Sequence, residues 1–303
     1  MKKEHPGVPG GGALRAKEAM ELIMMIVFLV CGFIAIAFVL LITVYLIISG
    51  LPAIREVGLT DFLFGTRWAS TDKTDPAYGI LPFILTSIYG TAGAILIGVP
   101  IGFLTAVFLS KVAPPRVAAV IRPAVDLLAG IPSVVYGLVG MMVLLPAIRK
   151  TFDIAAGDSL LAAIIVLAVM ILPSIISVSE TALNAVPREY EEASLALGAT
   201  ELETYFRVSA PAAKSGIAAA VVLGVGRAIG EAMAILMVAG NVANMPSLLS
   251  SVKFLTTAIA GEMGYACDLH RQALFTIGMV LFLFIMLINA ALNMFLKHDK
   301  EGN

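Results

Sequence analysis

Cysteine, histidine and charged residues are all scarce in this sequence of 303 residues. The two cysteines, Cys31 and Cys267, are too few and too far apart for a disulfide framework or a cysteine metal site. The histidines are scattered and give no metal-ligand spacing. Charged residues make up 14% of the chain and the formal net charge is −1, so no basic excess favours nucleic-acid binding. We therefore predict neither a bound metal nor a nucleic-acid partner.

Nucleotide-binding and catalytic motifs are also missing. The chain has no GxxxxGK sequence followed by Ser or Thr, so it does not hold nucleotide phosphates in a P-loop. The glycines around Arg227 are similar to a dinucleotide fingerprint, but their spacing is wrong and no strand precedes them. Small residues at Gly226 and Gly230 instead favour close packing of membrane helices. We predict no catalytic residue and no cofactor on this chain.

Long apolar runs dominate the sequence. Hydrophobic residues make up 59% of the chain and the mean hydropathy is +0.97, outside the range of soluble domains. Residues 22–49 contain no charge and exceed the ~7–15 apolar residues of a secretory signal. Because a membrane helix needs ~20 residues, the sequence predicts an all-α integral membrane protein with six transmembrane helices. These helices are predicted at 22–49, 80–109, 123–147, 159–179, 212–240 and 272–296.

The charges between these runs predict the order of the segments and their orientation. Lys and Arg are more frequent in the tails and the even-numbered connections, so the positive-inside rule favours cytoplasmic N- and C-termini. The predicted order is a cytoplasmic tail (1–21), the first transmembrane helix (22–49), an extracytoplasmic loop (50–78), a core of five helices (79–297) and a cytoplasmic tail (298–303). The polar segment 187–211, called the EAA segment below, lies within the core and is predicted to face the cytoplasm.

The EAA segment is predicted to form one or two short helices. Pro187 suits a first helical turn, and Gly198 can end the helix and reverse the chain. Taken alone, such a segment could be a solvated loop. Its residue order, however, resembles the cytoplasmic EAA loop of ABC-importer permeases, with Ser194 replacing an alanine of that pattern. The resemblance implies a coupling helix that docks on an ATPase subunit, with coupling residues Glu192, Ala193, Ser194, Gly198 and Pro211.

Two charges, Arg227 and Glu231, interrupt the apolar stretch 212–240. On a continuous helix from Lys214, Arg227 would lie ~20 Å along the axis, inside an apolar core ~30 Å thick. An arginine there costs ~2.5–3.5 kcal/mol on insertion scales. The pair could be a structural ion pair between helices or could line a substrate path. Small neighbours at Ala220 and Gly224 favour the path, in which Arg227 meets an anion and Glu231 holds Arg227 while the site is empty.

Other polar positions in the apolar stretches give weaker signals. The run from Gly130 to Ser133 contains Pro132 and predicts a helix break in the third transmembrane helix. Broken helices expose N–H groups and hydroxyls that can hold an anion, so Ser133 is a third candidate for the substrate path. Asp126 and Glu180 are interpreted as interfacial salt bridges or helix-end groups.

Six stretches together resemble one family, the PstC-type permeases of phosphate ABC importers. They are FLFGTRW (62–68), YGILPFI (78–84), LLAGIPSVVYGLVG (127–140), ETALNAVPREYEEASLALGAT (180–200), GRAIGEAMAI (226–235) and EMGYACDLHRQALF (262–275). The resemblance implies a type I ABC importer permease with a MetI-like fold in the bacterial cytoplasmic membrane. It also implies that Arg227 and Glu231 take part in the passage of inorganic phosphate.

The same resemblance implies partners. The permease would form the path with a homologous permease, PstA, on two copies of the ATPase PstB, and would receive phosphate from the binding protein PstS. ATP would then be bound and hydrolysed by PstB, and this chain would contact only lipid and protein.

Several alternatives stay open on the sequence alone. The same fold could import another oxyanion such as sulfate or molybdate, or the chain could be the PstA-type subunit, which shares the motif around Arg227. Stretches 62–84 and 262–275 favour the PstC type. A carrier driven by an ion gradient is a different class that the EAA segment argues against, and a membrane-embedded enzyme is more distant.

Overall fold

The computed structural model describes residues 11–72 and 74–301, which are helical except for one short hairpin and the connections. The described chain separates at Ser49 and Gly50 into two compact units. Parts of both predicted tails lie outside the described residues. The elements are α1 (Gly11–Val57), α2 (Leu59–Phe64), β1 (Trp68–Ala69), β2 (Ala77–Tyr78), α3 (Leu81–Val107), α4 (Pro115–Gly130), α5 (Ser133–Val139), α6 (Leu145–Phe152), α7 (Leu160–Asn184), α8 (Arg188–Ala196), α9 (Glu201–Thr204), α10 (Ala210–Ala212), α11 (Lys214–Gly230), α12 (Met233–Val238), α13 (Leu255–Glu262) and α14 (Asp268–Glu301).

Three π-helical turns interrupt the helices of the described chain. They are Phe108–Val112 after α3, Gly140–Leu144 between α5 and α6, and Tyr205–Ser209 between α9 and α10. The middle turn keeps α5 and α6 in one apolar helix that runs from Ser133 to Phe152.

The first unit is a single apolar helix. Its side chains from Met20 to Ile48 are mostly exposed, and leucine, isoleucine, phenylalanine and valine cover its whole circumference. A helix that is apolar on every side suits a lipid environment. The predicted boundaries of this helix are too narrow, because α1 begins at Gly11 and continues to Val57. The first eight residues of the predicted loop 50–78 are therefore helical.

Five helices are long and apolar enough to cross a membrane, among the residues that the structure describes. The bent pair Glu201–Ala212 and Lys214–Gly230, with an angle of 73°, raises the number to six if it counts as one crossing. The five are Met20–Val57, Leu81–Val112, Ser133–Phe152, Leu160–Asn184 and Asp268–Ala291. The prediction of six transmembrane helices agrees with this result.

Helix α7 lies at the centre of the second unit, where α3 and α11 pack along it. Small residues recur every fourth position on the buried face of α3, at Gly90, Ala94, Gly98, Gly102 and Ala106. A Cβ added to Gly98 or Gly102 would come within 2.7 Å of an Ile171 or Ile175 side-chain atom. Because the backbones approach this closely, the α3–α7 contact follows the small-residue packing of membrane helices.

A buried carboxylate holds the hairpin to the later connections of the same unit. Glu262 is 6% exposed. Its Oε2 accepts a hydrogen bond from Trp68 Nε1 at 3.1 Å and lies 2.8 Å from His270 Nε2, while Lys253 Nζ contacts its Oε1. Trp68 also stacks on Phe83, with ring centroids 5.4 Å apart. Two stretches of the phosphate-permease resemblance, 62–68 and 262–275, are therefore partners in one network.

The pKa of Glu262 gives a prediction about acid stability. Burial opposes its ionisation, but the hydrogen bond and charge of Lys253, with the bonds from His270 and Trp68, outweigh burial and lower the pKa below 4.5. Ionised Glu262 therefore stabilises the fold above pH 4.5, the ordinary value, and this contribution is lost as the pH falls through the folded-state pKa. We expect the unfolding temperature of the purified protein to fall with acidification over that range.

Glu262→Gln should weaken this acid dependence and destabilise the protein at neutral pH. It leaves the buried ammonium of Lys253 without its carboxylate, a change that costs about 3–5 kcal/mol in buried pairs. The matched control is Glu21→Gln, because the Lys17–Glu21 pair is exposed and such pairs contribute ~1 kcal/mol or less. Equal unfolding temperatures for the two variants would contradict a stabilising role for the Glu262 network.

Candidate functional site

The helix that carries Arg227 ends three residues after it, at Gly230. Helix α11 begins at Lys214 and stops at Gly230, Glu231 is extended (φ −72°, ψ 129°), and α12 begins at Met233. The predicted continuous helix over 212–240 is therefore wrong. Glu231 Oε1 accepts a hydrogen bond from Ala234 N at 2.9 Å, and the Glu231 carbonyl accepts one from Thr256 Oγ1 at 2.7 Å. These two bonds satisfy backbone groups that the break would otherwise leave unpaired.

Arg227 lies in the last turn of α11 and is partly exposed. Its guanidinium donates a hydrogen bond to Ser174 Oγ on α7, at 3.3 Å. The expectation that Glu231 holds Arg227 is wrong, because the Glu231 carboxylate binds the α12 backbone instead. Within the described part of the chain, no carboxylate oxygen lies within 4.0 Å of the Arg227 guanidinium. The side chain is thus a cation with one neutral partner.

The small residues beside Arg227 do not leave open space. Ala220 is fully buried, and a Cβ added to Gly224 would lie 3.2 Å from Ile175 atoms. Both residues therefore serve the packing of α11 on α7. The argument that they leave room for a substrate on that face is therefore wrong.

The chain has a second helix break, and the helix that follows it packs on the helix that follows the first. Helix α4 ends at Gly130, Ile131 and Pro132 are extended, and α5 begins at Ser133, so the predicted break is confirmed. Helix α5 packs on α12 at Gly137, where an added Cβ would lie 2.9 Å from Ala234 Cα. Ser133 is partly exposed at the start of α5. The two broken helices therefore meet just beyond their interruptions.

Two residues near Arg227 were not predicted. Ser174 is its hydrogen-bond partner, and its signal in the sequence was a hydroxyl directly after Pro173 in an apolar run. Tyr136 lies one turn after Ser133 on α5, the helix that packs on α12, and its hydroxyl donates to the Leu128 carbonyl at 2.7 Å. A guanidinium bonded to one hydroxyl, with no carboxylate partner among the described residues, is a group suited to contact an anion.

The EAA segment folds as predicted into short helices. Helix α8 follows Pro187, and Gly198 has φ +89°, which turns the chain towards α9. Ser194 faces inward, with its Oγ 2.9 Å from Thr204 Oγ1. Glu192, Ala193, Gly198 and Pro211 are exposed. Of the five predicted coupling residues, Ser194 alone is turned into the protein.

An exposed, partly apolar surface surrounds Glu192. We call it the α8 patch; it consists of Tyr190, Glu192, Leu195, Leu197 and Leu202. Leu197 is 91% exposed and Leu202 is 65% exposed. Tyr190, Glu192 and Leu195 lie on the polar helix α8, where lipid does not explain exposed apolar side chains. Exposed apolar residues with a charged neighbour make the α8 patch a candidate protein-binding surface.

A polar cavity of about 350 Å³ lies between α4 and α7. Arg122 Nε donates to Glu180 Oε1 at 2.6 Å across it. Of the two interpretations of Glu180, a salt bridge or a helix-end group, the structure shows the salt bridge. Asp126 lines the same cavity and forms no ion pair with the described residues.

Comparison with known proteins identifies the family to which this chain belongs. Residues 98–298 match the family described as the binding-protein-dependent transport system inner membrane component. The chain belongs to this family. It is a multi-pass membrane permease, and the helix breaks and the EAA segment described above all lie within the matched range.

Two curated proteins match the permease over most of its length. It is 42% identical over 267 residues to the probable ABC transporter permease protein YqgH of Bacillus subtilis, covering 85% of this chain and 86% of that protein. It is 32% identical over 317 residues to the phosphate transport system permease protein PstC of Xylella fastidiosa, covering 97% and 96%. The predicted resemblance to PstC-type permeases is confirmed.

A solved structure supports the fold. A chain of the bacterial alginate ABC transporter, crystallised with an alginate-bound periplasmic protein, matches 93% of the permease and 94% of its own length with a TM-score of 0.60. The two sequences are 15% identical, so this likeness concerns the fold alone. The predicted all-α, type I ABC importer permease fold is confirmed.

Proposed function

We propose that the permease carries inorganic phosphate into the cell as one subunit of an ATP-driven importer in the bacterial cytoplasmic membrane. The observation that carries this proposal is the partly exposed guanidinium of Arg227, bonded to the hydroxyl of Ser174 beside a helix break. The phosphate permease of Xylella fastidiosa, similar over nearly the full chain, supports phosphate as the anion.

Arg227 would act as a transient phosphate contact. A planar guanidinium donates two parallel hydrogen bonds to one oxyanion, which a single hydroxyl cannot match. Phosphate therefore displaces Ser174 from Arg227 as it passes, and Ser174 takes its place again afterwards. Glu231 contributes by fixing the break through its bond to Ala234 N. Ser133 and Tyr136 offer hydroxyls from the facing helix α5.

The remaining subunits supply energy and substrate. The chain has no P-loop, so ATP binds to a separate PstB-type ATPase that docks on the α8 patch. A PstA-type permease completes the path, and a PstS-type binding protein delivers phosphate from outside. With the α8 patch on the ATPase side, both termini lie in the cytoplasm. ATP binding and hydrolysis then alternate the access of the path between the two sides.

The test is uptake of radiolabelled phosphate into liposomes that contain this permease, a PstA-type permease and the ATPase, with the binding protein added. We expect uptake that requires ATP and all the subunits and that excess sulfate or molybdate does not inhibit. Inhibition by either anion would favour another oxyanion importer. Uptake without the ATPase would favour a gradient-driven carrier, and a native complex holding a second PstC-type chain would favour the PstA role.

A further inference from the structure

A partly buried ion pair joins the EAA segment to the end of α3. Lys111 Nζ lies 2.6 Å from Glu191 Oε1, and the two side chains are 11% and 18% exposed. Ser209 Oγ donates to the same carboxylate oxygen at 2.8 Å. Burial opposes the ionisation of Glu191, but the bonds from Lys111 and Ser209 outweigh it and hold its pKa below the ordinary value. Glu191 is therefore ionised at neutral pH.

Two of the three residues in the Lys111–Glu191–Ser209 link lie in π-helical turns. Lys111 is on the π-helical turn Phe108–Val112, and Ser209 ends the π-helical turn Tyr205–Ser209. Tyr205 OH also donates to the Lys111 carbonyl, at 3.3 Å. Single π-helical turns are rare and occur often at functional sites. The two turns are tied to each other by directional polar bonds rather than by apolar packing alone.

Helix α8 carries both the ion pair and exposed residues. Glu191 and Ser194, three positions apart on one face, bond to the rest of the protein, whereas Glu192, which follows Glu191 and lies about 100° further round the helix, is exposed. A protein that contacts Glu192 at the α8 patch would therefore bind the same short helix that holds Lys111.

Helix α3 connects Lys111 with the centre of the bundle. It packs along α7 through its small residues, and α7 carries Ser174, the partner of Arg227. An apolar cluster that includes Val107 of α3 and Leu183 of α7 packs against Tyr205 and Ala210 of the EAA segment. A displacement of α8 therefore has a continuous packed route to the candidate substrate path.

We propose that Lys111, Glu191 and Ser209 are positioning residues that transmit the displacement of α8 to α3 during transport. None of them touches the substrate or the ATPase; the ion pair makes α8 and α3 move together. The inference rests on the proposed function, because it presumes a partner that moves α8.

The test uses Glu191→Gln in the assembled importer. We expect the complex to assemble and hydrolyse ATP, while phosphate transported per ATP falls about tenfold, within the range of allosteric couplings. The charge-reversed pair Lys111→Glu with Glu191→Lys should recover most of the loss. The matched control is Glu189→Gln, an exposed carboxylate on the same helix, which should couple like the parent.

Three results would overturn the link. The first is unchanged transport per ATP in Glu191→Gln. The second is loss of assembly or ATPase activity that the charge-reversed pair does not repair, since that outcome describes a structural role only. The third is an equal loss in Glu189→Gln. If the unmodified importer shows no ATP-driven phosphate uptake, the proposed function is wrong. If the unmodified importer and Glu191→Gln transport the same amount of phosphate per ATP, only the role of the ion pair is wrong.

Discussion

Arg227→Ala is expected to abolish phosphate uptake while the importer still assembles. The guanidinium is the charged group that meets the anion in our proposal, and its loss removes two charge-assisted hydrogen bonds. At about 1.5 kcal/mol or more each, these bonds correspond to a decrease of at least ~100-fold in uptake. The side chain binds one hydroxyl, Ser174 Oγ, so its truncation leaves no buried carboxylate unpaired. The measurements are phosphate uptake and co-purification of the ATPase.

Three variants make this result specific. Arg227→Lys keeps the charge but loses the two-pronged donor, so uptake should be intermediate. Ser174→Ala removes the partner that competes with phosphate and should retain uptake. Arg116→Ala removes an exposed arginine from α4 and should match the parent. Normal uptake by Arg227→Ala would reject its role in the path.

Gly198→Val is expected to uncouple ATP hydrolysis from transport. Gly198 has φ +89°, a left-handed conformation that a β-branched residue adopts only with strain of roughly 1–2 kcal/mol. No atom lies within 4 Å of an added Cβ, so the effect comes from the backbone and not from a clash. The turn relaxes, and α8 with the exposed Glu192 and Leu197 changes its direction. Transport per ATP should fall about tenfold.

Gly198→Asn is the matched control for this turn. Asparagine adopts the left-handed conformation more readily than other residues with a side chain, so the turn and the coupling should both survive. Coupling that is intact in Gly198→Val, or lost equally in both variants, would argue against a conformational role for Gly198. Both uptake and ATPase activity must be measured, because uncoupling is a change in their ratio.

Local sequence signals predicted one helix break and missed the other. Pro132 follows Ile131 and restricts it to extended conformations, so the α4–α5 break could be read directly. Around Glu231 there is no proline, and a glycine such as Gly230 inside an apolar helical pattern does not by itself specify a break. The carbonyl of Glu231, freed by the break, accepts a hydrogen bond from Thr256, which lies 25 positions further along the chain. Local sequence patterns do not predict a tertiary contact of this kind.

Tertiary packing also decides the roles of several small and charged residues, and the sequence does not show that packing. Gly224 has the same size whether it faces a path or a neighbour, and only the position of Ile175 shows that it packs. The Glu262 network unites residues from 68 to 270 that no spacing rule relates. By contrast, the EAA segment was predictable, because Pro187 and Gly198 determine its helix locally. The sequence did not predict which face of α8 binds Lys111.

The most direct test of the central claim is the water accessibility of position 227. Arg227→Cys would be built in a chain whose exposed cysteines, Cys31 and Cys267, are replaced by serine. The assembled importer would then be labelled with a small water-soluble thiol reagent. We predict labelling whose rate depends on the nucleotide state. A thiol that stays unlabelled in every nucleotide state would contradict an anion path past Arg227.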